Sequence, residues 1–170
     1  MNDNPIKRPV GMTILLVLSL VNACLQIFSN LGMYITTPIM SQMMANGELE
    51  EAMAPFLSFM KMDGDELKAF WEILETRLTI NHVYYLFTAL FFVGSLIGVI
   101  KMFKLKRAGF HLYSISQMLI LIVAVIYIYS KQGSDGFFNE FLMTALFILL
   151  YHLYFKRIEN DPRAKREQDI

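Results

Sequence analysis

Apolar residues run almost unbroken through four stretches, Val10–Ile35, Val83–Ile100, Ala108–Tyr129 and Phe137–Phe155. Each holds about 18 to 26 residues with at most one charge, the length of helix that crosses about 30 Å of hydrocarbon. Between the first and second the pattern changes. Leu49, Ala52, Met53, Phe56, Leu57 and Met60 recur at intervals of three and four, which predicts an amphipathic helix. Pro55 falls inside that pattern and predicts a kink or a split into two short helices. A further helix should begin near Asp63 or Asp65, with Glu66 placed for a capping-box start and an apolar stripe of Leu67, Phe70, Trp71, Leu74 and Leu78. It is expected to run straight into the second span. Gly47 and Gly64 punctuate this region.

The pattern therefore predicts one all-α domain over residues 1–170, a four-helix transmembrane bundle in up-down-up-down order. The expected spans are about 10–35, 83–100, 108–130 and 137–155, with a helical outer loop at about 38–80 and a polar tail at 156–170. Helix one can run past Ile35 toward Thr37-Pro38. The linker Lys101–Arg107 allows only a tight turn, and the glycines of Ser130–Gly136 mark another. The one or two short amphipathic helices of the loop would lie on the membrane or cover the bundle. Trp71, Tyr84 and Tyr85 would then sit at headgroup level.

Charge orients the spans. Eleven of the fifteen Lys and Arg fall on one presumptive side: Lys7, Arg8, Lys101, Lys104, Lys106, Arg107, Lys156, Arg157, Arg163, Lys165 and Arg166. Ten of the fifteen carboxylates fall on the other. Basic residues stay cytoplasmic, so both termini are expected inside and the acidic loop outside. The zero net charge hides this asymmetry. The first span is too long for a typical signal core and is expected to be a retained anchor. Hydrophobic residues make up 55% of the chain, in keeping with a small polytopic membrane protein. Cys24 is the only cysteine, which excludes an intrachain disulfide and quinone-linked disulfide chemistry. The basic residues cluster at membrane boundaries, so no nucleic-acid partner is expected.

Five sets of residues are candidates for more than packing. Ser19, Asn22, Gln26 and Ser29, with Asn30 beside them, form a polar stripe on helix one, with Cys24 on the opposite face. Amides at that depth need partners. They are either interhelical packing residues or the lining of a polar path or ligand site. Gly94 and Gly98, one turn apart, permit close approach of a neighbouring helix, expected within the bundle. Lys101, Lys104, Lys106 and Arg107 are four cations in seven residues and a candidate contact for anionic lipid. His111 and His152 lie near the same end, where they are ordinary boundary residues without a carboxylate at their depth. The methionines around the outer loop, Met40, Met43 and Met44 among them, fit an apolar helix face better than a copper site.

Three segments carry a resemblance: Lys7-Arg8-Pro9 leading into Thr13-Ile-Leu-Leu-Val-Leu-Ser19, Gly109-Phe-His-Leu-Tyr-Ser-Ile-Ser-Gln117, and Phe147-Ile-Leu-Leu-Tyr151. In these the chain resembles an uncharacterised family of small four-span integral membrane proteins from Bacteroidota-type bacteria. The resemblance implies a bacterial inner-membrane address and no activity. No span carries a central charge, and the chain has no nucleophile–base motif, metal motif or phosphate loop. The expectation is a non-enzymatic protein without cofactor or metal. It would be a membrane scaffold or accessory subunit whose partners are the lipid bilayer, further copies of itself or another membrane protein. The alternative is a small transporter or channel component with a polar path along span one.

Overall fold

The computed structural model describes residues 9–62, 64–129 and 137–159. The polar tail before Pro9, Asp63, the expected turn at 130–136 and the basic residues Arg163, Lys165 and Arg166 lie outside the described residues. The described residues are helical throughout, joined by short turns and with no strand among them. Six helices follow one another: α1 (Val10–Ala45), α2 (Glu48–Met60), α3 (Gly64–Leu78), α4 (Val83–Phe103), α5 (Arg107–Ala124) and α6 (Phe137–Glu159). A π-helical turn, Val125–Tyr129, extends α5. By length and composition, α1, α4, α5 with its extension, and α6 can each cross a membrane.

Helix α1 has 36 residues. At 1.5 Å per residue it is about 54 Å long, well beyond a hydrocarbon core of about 30 Å. Thr37-Pro38 does not end it, because Pro38 removes a single backbone bond and the residues beyond are good helix formers until Gly47. Met40, Met43 and Met44 thus continue its half-buried face. Its buried positions, Met12, Leu16, Ser19, Ala23, Asn30 and Thr37, repeat on a heptad and mark one seam toward the bundle.

In the loop, helix α2 passes through Pro55 as one element and not as two short helices, burying Leu49 and Leu57. Gly47 (φ 76°) and Lys61 (φ 53°) turn the chain at its two ends in the left-handed region. Helix α3 does not continue into α4. Asn81 intervenes, its Oδ1 accepting a hydrogen bond from the Val83 N–H (3.0 Å), so a side chain starts the next helix. The stripe Leu67, Phe70, Trp71 and Leu74 is half-buried and Leu78 is buried. The Ser41 hydroxyl donates to the Leu78 carbonyl (3.2 Å), tying α3 to the far end of α1.

Helices α4 and α5 form the tightest pair, joined by the turn Lys104–Lys106. A methyl placed on Gly98 would lie 2.7 Å from the Tyr113 nitrogen and 2.9 Å from the Gly109 oxygen. One on Gly109 would meet the Gly98 oxygen at 2.6 Å. The backbones touch because neither position has a side chain. Below this contact lies the apolar core: Met12 and Leu16 of α1, Val99 and Met102 of α4, Tyr113 of α5 and Tyr151 of α6. Tyr113 and Tyr151 pack edge to face at 5.1 Å between ring centroids. Helix α4 is the hub, with 39% of its apolar stretch buried, whereas α6 buries 6%. Helix α6 is held mainly at its Tyr151 end.

Candidate functional site

Above the core the helices separate around a cavity of about 920 Å³. Five elements line it, with polar side chains from each. Helix α1 supplies Asn22, Gln26, Ser29 and Asn30, α3 supplies Glu72, Thr76 and Arg77, and α4 supplies Tyr84, Tyr85 and Thr88. Gln117 comes from α5, and Glu140 and Thr144 from α6. Along α1 the lining runs from Asn22 to Met33, about 17 Å of helix. A volume near the upper end of the roughly 300–1,000 Å³ typical of small-molecule sites is accompanied here by an unusual share of polar lining.

The boundary between core and cavity is marked by hydroxyls. Tyr151 Oη donates to Ser19 Oγ (2.8 Å), a buried bond between α6 and α1. One layer above, Gln117 Nε2 donates to Ser95 Oγ (3.0 Å), pinning α5 to α4 at the cavity floor. Tyr85 Oη donates to the Arg77 carbonyl (3.0 Å) and fixes α3 along one wall. On α1, Asn30 Nδ2 donates to the Gln26 carbonyl (2.7 Å) and approaches Gln26 Oε1 (3.3 Å). Tyr84 packs against Tyr127 of the π-helical turn at 6.1 Å. Turns of that kind recur at functional positions in helices.

The candidate stripe is thus divided. Ser19 is buried and used for packing, whereas Asn22 and Ser29 are exposed to the cavity and Gln26 is half-buried at its wall. Asn22 is not enclosed against its neighbours. Gly94 and Gly98 both face α5, Gly94 against the flexible Ser116 hydroxyl and Gly98 against backbone. Lys101, Lys104, Lys106 and Arg107 are exposed around the α4–α5 turn. His111 and His152 flank the Phe110 ring, at 5.6 and 6.0 Å. Met33 lines the cavity. Among the described residues no group of three His, Cys, Asp or Glu side chains could hold a metal ion.

Reading helix one alone misses most of the lining. Gln117 and Thr88 are among the few polar residues of otherwise apolar helices, beside Ser95 in α4 and Ser114 and Ser116 in α5, and that sparseness is their signal in the sequence. Arg77, Glu72 and Glu140 read as loop or boundary charges, and only the fold brings them to the same opening. Amides, hydroxyls, two carboxylates and a guanidinium can together hold a polar or doubly charged solute by hydrogen bonds and opposite charges. No protein-family model, curated protein or solved structure matches the chain.

Proposed function

We propose that this chain is a non-enzymatic multi-pass membrane protein that admits a polar solute into its cavity, a small component of a transporter or channel. The observation that carries this reading is the cavity itself, into which Asn22, Gln26 and Ser29 open together with polar residues of every other span. Amides that served only as packing would be consumed in contacts between helices. The four spans run up-down-up-down, with the basic ends of α4, α5 and α6 and both termini on the cytoplasmic face. The address is a bacterial inner membrane, as the family resemblance implies. Helices α2 and α3 lie on the outer side, α3 forming a wall of the opening.

Solute transport or solute-dependent protection of the cavity tests the assignment. Asn22→Leu combined with Gln26→Leu should abolish either while the protein remains folded and in the membrane. Full retention of both would refute it. Topology is tested separately with Cys24→Ser chains carrying Ser58→Cys, Ser134→Cys or Lys165→Cys. An impermeant thiol reagent applied to intact cells should label the first two only. Labelling at Lys165→Cys would reverse the orientation.

A scaffold or accessory subunit is the second reading, favoured by α6. Phe138, Leu142, Leu146, Leu149 and Leu153 are all exposed along it, a surface suited to lipid, to another copy or to a membrane partner.

A further inference from the structure

We propose that the solute taken by the large cavity is a short peptide with free ends, its ammonium met by Glu72 and Glu140 and its carboxylate by Arg77. The assignment rests on the reading of the cavity as a solute site. The three charged side chains reach the opening from two helices, Glu72 and Arg77 from α3 and Glu140 from α6. All three are exposed there. Deeper, towards the floor at the Gln117–Ser95 bond, the polar lining is uncharged, with Asn22, Gln26, Ser29 and Asn30 of α1 and Thr88 of α4.

Each charge also has an ordinary use. Glu140 in the first turn of α6 and Arg77 in the last turn of α3 offset the partial charges of their own helix ends. That use does not account for Glu72 in the middle of α3, nor for the meeting of all three at one opening. Glu72 and Arg77 are five residues apart, outside the three- and four-residue spacings at which helix side chains pair. A surplus of one sign would point to an ion of the other. Charge of both signs suits a solute that carries both, since a guanidinium fork binds a carboxylate through two hydrogen bonds and carboxylates accept from an ammonium. The uncharged lining fits the middle of such a solute. Asn22, Gln26, Asn30 and Gln117 carry amides, which donate and accept at once as a peptide bond does. Size agrees. The lining runs about 17 Å along α1, and an extended chain advances about 3.3 Å per residue, so up to about five residues fit. A free amino acid would leave most of the cavity of about 920 Å³ unfilled.

The test uses four tripeptides that differ only at their ends: triglycine, triglycinamide without the carboxylate, N-acetyltriglycine without the ammonium, and N-acetyltriglycinamide without either. The full chain in detergent carries Cys24→Ser and Ser29→Cys, and occupancy of the cavity is read as slower modification by a small hydrophilic thiol reagent. Triglycine should protect at a concentration about threefold or more below either singly charged peptide, the size of an exposed ion pair. N-acetyltriglycinamide should need the highest concentration. Arg77→Gln should weaken triglycine by about threefold or more and leave triglycinamide no weaker, and Arg77→Lys should restore most of the protection. Glu72→Gln with Glu140→Gln should weaken triglycine likewise and leave N-acetyltriglycine no weaker. These side chains are exposed, and Tyr85 Oη bonds the Arg77 carbonyl rather than its guanidinium, so the fold survives the substitutions. Equal protection by all four peptides would overturn the doubly charged solute while leaving a cavity that admits polar solutes. Ready modification that none of them slows would overturn the peptide alone. Resistance of Ser29→Cys to the reagent throughout would contradict the cavity itself, and the peptide with it.

Discussion

The two halves of the bundle use the same helices differently. At the basic end, α1, α4, α5 and α6 converge on Met12, Leu16, Val99, Met102, Tyr113 and Tyr151, five of them apolar or aromatic side chains of α1, α4 and α5 and the sixth the anchor of α6. At the other end, the same four helices diverge around polar side chains, and α3 fills in as a wall. In a membrane, burial away from water does not drive helices together, since lipid is as apolar as leucine. Close packing and hydrogen bonds do. The packed half has backbone contact at Gly98 and the Ser19–Tyr151 bond. The open half has polar side chains from every one of these helices lining the cavity.

This contrast can be broken by substitution. Gly98→Leu should have the largest effect, about 3 kcal/mol or more, because the unyielding Tyr113 and Gly109 backbones face it. Thermal or denaturant unfolding in detergent measures it, and a loss below about 1 kcal/mol would mean that the α4–α5 contact is looser than described. Tyr151→Phe keeps the ring and removes the bond to Ser19, so a smaller loss of about 1 kcal/mol is expected by the same assay. Gly94→Ala should cost less than about 1 kcal/mol, since only the rotatable Ser116 hydroxyl stands in the way. Smallest of all should be Asn22→Leu, within about 0.5 kcal/mol of the parent, because Asn22 faces the cavity and packs against little. A larger loss would show that its amide is consumed in packing.

The division was only half legible in the sequence. Span positions followed from unbroken apolar runs, a strong and local signal. The close approach of Gly94 and Gly98 to a neighbour was legible too, since a glycine pair one turn apart has few other uses in a span. The extension of α1 to Ala45 was underestimated because Pro38 reads as a stop, although one lost backbone bond is a small penalty in a helix of 36 residues. The break at Asn81 was missed for the converse reason, an asparagine side chain competing for backbone groups inside an otherwise helical pattern. Ser19, Asn22, Gln26 and Ser29 share one face, yet periodicity could not tell which would be enclosed. That depends on where α6 parts from the bundle, a property of long-range packing at Tyr151. Arg77 and Glu140 reach the cavity through the same tertiary arrangement, 63 positions apart in the chain.

The polar cavity is bounded by the packed core at its floor. Thiol accessibility in a Cys24→Ser chain carrying either Asn22→Cys or Leu16→Cys reads this boundary. A small hydrophilic thiol reagent added from the acidic side should modify Asn22→Cys readily and leave Leu16→Cys protected, less than two turns further along the same helix. Protection of both would contradict the cavity, and modification of both would contradict its closed end.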